Sequence, residues 1–378
     1  MLAPRDTTLT TEWRPLAGLA SIAPAWRALA ARAAEPNVFY EPDFALAAAP
    51  ALAPDAGAVL VHARDRLVGL FPCRIERARW GIRLPVLVGW THPYGPLGTP
   101  LVDRDALAPA VAAFLDHVAQ SRVLPKLMYM PYLVEGGPVA SVLTKAIARR
   151  GGRSADFGRH QRALLAPGDH RDGYLDGALG RKKRKELGRQ QRRLDEAGGV
   201  TFMLIHEPAA VRRAMADFFA LEARGWKGVR GTAAAQMMAI RRFMDSAVGG
   251  LADHGQAWVT RMLHGERTIA AGVLLKSGDG AWFWKIAYDE SMARASPGVQ
   301  LTVDLTEAML AAPTIAWCDS CAAADHPMID SIWREHRTMV DQLIGLTPRY
   351  FGLACRLETM RRVAIEWGRR MRNALARR

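Results

Sequence analysis

Cysteine is scarce in this chain: four residues in 378, with Cys73 and Cys355 isolated and Cys318 and Cys321 at CxxC spacing. That is too few for a disulfide scaffold at this length. One CxxC pair without a second does not complete a metal site, so burial is the expected fate of these thiols and no metal is expected. Long apolar runs are lacking too. None approaches the roughly 18 residues needed to span a bilayer. The first residues, MLAPRDTTLTTEW, lack the charged-then-apolar layout of a signal peptide. These absences lead to the expectation of a cytoplasmic protein.

Half the residues are hydrophobic and the mean hydropathy is near zero, which excludes a disordered chain. The length suits two domains of ordinary size. The net charge of +14 is concentrated. Residues 181–193, RKKRKELGRQQRR, carry eight Lys/Arg against one Glu, net +7, and residues 361–378 carry seven Arg against one Glu, net +6. Outside these two segments the chain is nearly neutral.

The most informative stretch is 280–299, GAWFWKIAYDESMARASPGV. Trp282, Trp284, Ile286 and Tyr288 alternate with Phe283, Lys285 and Ala287, which predicts a strand. Asp289 to Ala295 break that pattern. Ser296-Pro297-Gly298 then opens a helix with a hydroxyl at the N-cap and proline at the first position. Gly298 would let a ligand approach the backbone, and the helix start would favour an anion. An ordinary capped helix after a strand accounts for the same residues.

The rest of the chain falls into elements around it. Helices are expected at 16–34, after Pro42, at 105–120 and at 138–150. Strands are expected at Ala58 to Ala63, Leu67 to Ile75, Ile82 to Trp90, Lys126 to Pro131 and near 160–166. The second half reads as the basic helix, a strand from Val200 to Ile205, helices at 208–224 and 232–248, and strands at 256–263, 267–276 and 281–288. The helix opened by Ser296 follows, then a short strand at Ile315 to Cys318, a helix from Asp325 to Thr338 and a long closing helix. Each half repeats one order of elements, which predicts an α+β fold with a mixed sheet in each half.

This order resembles the GNAT acyltransferase fold. The second half resembles the CelD/BcsL-type, BioF-like domain, a distant relative of the FemAB transferases. The resemblance rests on RRLDEAGGV, FFALEARGWKGVRGTA, WFWKIAYDESMARASPGVQL and DSCAAADHPMIDSIWRE, in that order over roughly residues 165–345. It implies tandem GNAT-like domains, each a mixed, mainly antiparallel sheet flanked by helices. The expected division is a degenerate N-terminal domain at 1–165, a basic linking helix at 166–199 and an acyltransferase domain at 200–378. The resemblance also implies an acyl-CoA donor whose pyrophosphate rests on the turn formed by Arg294, Ser296, Pro297, Gly298 and Val299. The acceptor it implies is an amine or hydroxyl of a small molecule or an envelope or exopolysaccharide precursor. A FemAB-type transferase using aminoacyl-tRNA is the alternative, and the absence of aromatics from the basic stretch argues against RNA there. A non-catalytic protein of polysaccharide assembly is a further alternative.

Amine acylation needs a bound thioester, a donor to the developing oxyanion and a route for the amine proton, but no covalent nucleophile. His326, oriented by Asp325, is an acid/base candidate; Asp325 could equally cap a helix. Glu222 is the next candidate. Trp226 and Lys227 lie in a glycine-rich stretch able to cover a substrate. Lys285 and Tyr288 on the apolar strand, with Asp319 after the short strand, complete the expected substrate contacts.

In the closing helix, Leu357, Met360, Ala364, Trp367, Met371 and Leu375 form a stripe with most arginines off it. The stripe could pack on the protein's own sheet, meet another chain or rest weakly on an anionic membrane, which would put the protein at the inner membrane face.

Overall fold

The computed structural model describes residues 8–196 and 198–375. Arg377 and Arg378 of the basic tail lie outside them. The chain forms two compact units that are interleaved in sequence, not contiguous. One unit holds the described residues up to Asn37, Asp55–His160 and the described residues from Thr338 on; the other holds Val38–Pro54 and Gln161–Arg337.

In the first unit, strands β1 (Leu9–Pro15), β2 (Gly57–Ala63), β3 (Arg66–Glu76), β4 (Val86–Gly89), β6 (Leu127–Val134) and β13 (Glu335–Gly345) lie in that order. Neighbours are antiparallel except β4 and β6, and the two-residue β5 (Leu101–Val102) pairs with β3. Successive residues of a strand point to opposite faces. Leu87, Met128 and Met130 therefore pack with helices α3 (Leu107–Gln120) and α4 (Pro138–Arg149). Val86, Val88, Leu127 and Tyr129 pack on the start of helix α11 (Phe351–Leu375), through Phe351 and Ala354. The long closing helix thus belongs to the first unit. Before α3, Asp103 is buried and paired with Arg32 and Arg66, so its charge is compensated internally.

The helix expected at Asp325 to Thr338 does not form: its last four residues begin β13, and turns and irregular backbone take the rest. A 3₁₀ turn at Ile329–Ser331 precedes β13. Asp341 and Gln342 interrupt its apolar pattern and hid the strand. Both are needed where β13 and β6 lose register. Tyr132 has φ 51° beside Pro131, and Asp341 Oδ1 accepts its amide at 2.8 Å. Gln342 Nε2 donates to Thr144 at 3.0 Å.

The second unit repeats the plan. β8 (Val200–Ile205), β9 (Ala257–His264), β10 (Arg267–Ser277) and β11 (Gly280–Tyr288) form an antiparallel series. β12 (Trp317–Asp319) pairs parallel with β11, and the end of β7 (Arg153–Leu165) pairs antiparallel with β12. Helices α2 (Pro42–Leu52), α7 (Pro208–Arg224) and α9 (Met238–Asp253) bring aromatic rings onto one face, where Phe44 meets Trp284 and Phe243. Helix α10 (Pro297–Ala311) packs on the other through Leu305 and Met309 with Phe283 and Trp333. The basic helix, α6 (Arg181–Glu196), buries Leu187 and Leu194 seven residues apart, as expected, and leaves Arg181, Lys182, Arg184, Lys185, Arg189, Arg192 and Arg193 exposed.

Candidate active site

The pairing of β11 with β12 covers only Gly280–Trp282. β12 ends at Asp319 while β11 runs six residues further. Beyond Trp282, the β11 edge that faces away from β10 has no strand partner among the described residues. Unpaired backbone donors and acceptors on such an edge can be satisfied by an extended ligand.

β11 is not a regular strand there. Its pairing with β10 passes from Phe283↔Leu274 to Lys285↔Val273, which leaves Trp284 without a partner. A bulge of this kind re-aims the side chains that follow it. Trp284 packs on Phe44 and Phe243, and the next residue, Lys285, lies within electrostatic reach of Glu222, Lys227 and Cys321. Strict alternation would have sent Trp284 and Lys285 to opposite faces.

Lys285 is half-buried. Burial, aided by the charge of Lys227, lowers its ammonium to a pKa of about 8, against the opposing pull of Cys321 and Glu222. Glu222 is buried at the end of α7, with Oε1 accepting from Lys227 Nζ at 2.6 Å and Oε2 from the Ala234 amide at 2.8 Å. Both oxygens are engaged, so Glu222 ties Lys227 to the backbone at Ala234. Trp226 is 53% exposed, and Arg230 and Lys227 place cationic groups 5.1 and 5.9 Å from its ring centre.

The turn after β11 departs from its expected form. Ser296 stands at the N-cap of α10 with φ 51° and ψ 49°, but its hydroxyl makes no capping bond. Its carbonyl accepts the amides of Val299 and Gln300, and Pro297 has no amide to offer. Among the described residues the Gly298 amide has no acceptor, and Arg294 is exposed with no acidic partner. Gly298 is buried against Tyr288: a β-carbon there would lie 2.9 Å from the Tyr288 ring. The missing β-carbon makes room for the Tyr288 ring.

Asp319 is fully buried. Its Oδ2 lies 3.5 Å from Arg162 and 3.7 Å from Arg337, and its Oδ1 accepts the Cys321 amide at 2.8 Å. It braces the turn after β12, where Cys321 has φ 53°. Arg337 lay in the segment read as helix, and Arg162 stands in a strand with no motif to mark it. Burial and the Asp319 carboxylate push the Cys321 thiol up, and burial does the same to Cys318, so neither thiol is an activated nucleophile.

No hydrogen bond joins Asp325 to His326. Asp325 is exposed with φ 56°, and His326 Nδ1 is buried without a partner. The segment that follows lies along α10, with Trp333 Nε1 donating to Thr306 at 2.9 Å. The structure thus gathers Glu222, Lys227 and Lys285, and orders Arg294, Ser296, Pro297, Gly298 and Val299 in one turn. It leaves Asp325 and His326 without the expected pairing.

Residues 181–326 match the acetyltransferase (GNAT) domain. The match begins at α6 and takes in the basic helix. No curated protein sequence matches the chain. Among solved structures, FemX is similar with a TM-score of 0.57 and 9% identity, over 87% of this chain and 97% of that one. The C-terminal domain (DUF2156) assigned to a lysylphosphatidylglycerol synthetase from Agrobacterium fabrum is similar with a TM-score of 0.53 and 12% identity, over 90% and 96%. A conserved protein of unknown function from Bacteroides thetaiotaomicron is similar with a TM-score of 0.53 and 9% identity, over 88% and 99%. At these identities the likeness is one of fold.

Proposed function

We propose that the second unit transfers an acyl group from acyl-CoA to an amine or hydroxyl acceptor. The observation that carries this reading is the open β11 edge beyond Trp282, leading to the turn at Arg294–Val299 and flanked by Lys285. The amide groups of a pantetheine arm suit an unpaired strand edge, and the unclaimed Gly298 amide with Arg294 suits a pyrophosphate. The acceptor nitrogen attacks the thioester carbonyl, backbone amides of the edge hold the oxyanion, and the carbon–sulfur bond breaks. The acceptor's proton passes to neutral Lys285 and from there, through solvent, to the departing thiolate.

The resemblance to CelD/BcsL-type proteins supports an envelope or exopolysaccharide precursor as acceptor, or a non-catalytic part in polysaccharide assembly. A second reading, a FemAB-type transferase using aminoacyl-tRNA, is favoured by one observation. The exposed cations of α6 adjoin the donor turn, because Leu194 packs in one cluster with Met292 and Ala295. Titration of the intact protein with acetyl-CoA and, separately, with aminoacyl-tRNA tests the two. Saturable binding of acetyl-CoA that Lys285→Met leaves intact while abolishing turnover supports the first. Binding of aminoacyl-tRNA alone would replace it with the second, and binding of neither would remove both.

A further inference from the structure

Helix α11 packs through one face only. Phe351 and Ala354 are buried, and Glu358 is fully buried beneath Trp80, Tyr129 and Arg79. From Val363 to Arg372 every side chain is exposed except for the half-buried Gly368. At 25 residues the helix is about 37 Å long, so much of it extends past its packed part. The apolar stripe read from the sequence is not the packed face. Met360, Val363, Trp367 and Met371 are 59, 50, 66 and 62% exposed. With Ala364 they share an arc of about 100° on a helical projection. Arg370 borders the arc on one side, and Arg361 and Arg372 on the other.

We infer that this face of α11 docks on an anionic lipid surface. Two observations select that occupant. On the same projection Arg356 falls within the arc one turn before Met360, and Arg372 flanks it; neither has an acidic partner among the described residues, so cationic charge along the arc is uncompensated. The arc itself is apolar and carries tryptophan, the residue suited to the boundary between headgroups and acyl chains. A second copy of the helix would set arginine against arginine. A nucleic acid would meet the cations but leave Trp367, Met371 and Val363 in water. On a bilayer, the arc enters the interface and the long arginine side chains reach the lipid phosphates. No described helix is long and apolar enough to cross the membrane, so the contact is peripheral.

The test is flotation of the full-length protein with vesicles of phosphatidylcholine alone and of phosphatidylcholine mixed with phosphatidylglycerol. The protein should float only with the anionic vesicles and be released by high salt. The double variant Trp367→Ser, Met371→Ser should lower partitioning by about tenfold or more. Arg356→Gln with Arg372→Gln should lower it about fivefold per charge. Sedimentation velocity at several concentrations reads the competing occupant. Absence of flotation, flotation unchanged in the apolar double variant, or a dimer that this variant dissolves would each overturn the inference. Circular dichroism and a melting curve ensure that every variant compared is folded.

Discussion

The backbone amide of Trp226 donates to Glu290 Oε1 at 2.8 Å. This bond ties the glycine-rich stretch after α7 to the turn that precedes α10. A β-carbon on Gly225 would lie 2.8 Å from the same carboxylate oxygen, so the contact leaves no slack. Glu290→Ala should free residues 225–236 from the donor turn. Amide exchange in that segment should accelerate while α9 and the β10 core keep their protection. The donor KM should rise several-fold with little change in kcat. Unchanged exchange in that segment would show that the loop is held by its other contacts.

The Lys285 ammonium, lowered to about 8 from 10.5 chiefly by burial, makes a prediction with a definite sign. Protonated Lys285 cannot accept the acceptor's proton, so turnover should rise with pH up to about 8 and then level off. Lys285→Met should reduce kcat by about a hundredfold or more and remove that rise. Asp325→Asn should leave kcat within about twofold, because no hydrogen bond couples Asp325 to His326. A pH profile that keeps its shape in Lys285→Met assigns the titrating group elsewhere.

Gly298→Ala should act through Tyr288. The added methyl forces the ring aside at a cost of about 1–3 kcal/mol, measurable by urea denaturation. Tyr288→Ala in the same chain should recover much of that stability. If the ring's displacement alone disturbs the donor site, the double variant recovers acetyl-CoA affinity only in part.

Glu358 concerns stability. Burial by itself would raise its carboxyl. The Trp80 hydrogen bond and the charges of Arg79, Arg362 and Arg361 outweigh that and hold it below its ordinary value. A carboxyl depressed in the folded state stabilises above its unfolded pKa, and that contribution is lost as pH falls through the folded value. Glu358→Ala should destabilise the first unit by about 3–5 kcal/mol at neutral pH, because it leaves the Arg79 charge without its buried partner. The gap between variant and native protein should narrow as the medium is acidified below about pH 4.

By itself the sequence determined the local elements and the fold class. Alternation through Trp282–Phe283–Trp284 and proline and glycine at helix starts are short-range signals, and most of the helices and strands stand where such signals placed them. The leucines of α6 likewise marked its buried face. Tertiary structure decided what depends on partners distant in the chain. β13 could not be seen because Asp341 and Gln342 are tolerable in a strand only where Tyr132 and Thr144 are present to bond them. Asp319 looked available until Arg162 and Arg337 enclosed it. The contact of Gly298 with Tyr288 joins two residues ten apart and was not visible in the local pattern. The helix that Asp325 could have capped does not form, and no hydrogen bond joins Asp325 to His326. Lys285 reached the Glu222 cluster only because a bulge opposite Val273 and Leu274 shifted the register of β11, and register is a property of two strands that neither encodes alone.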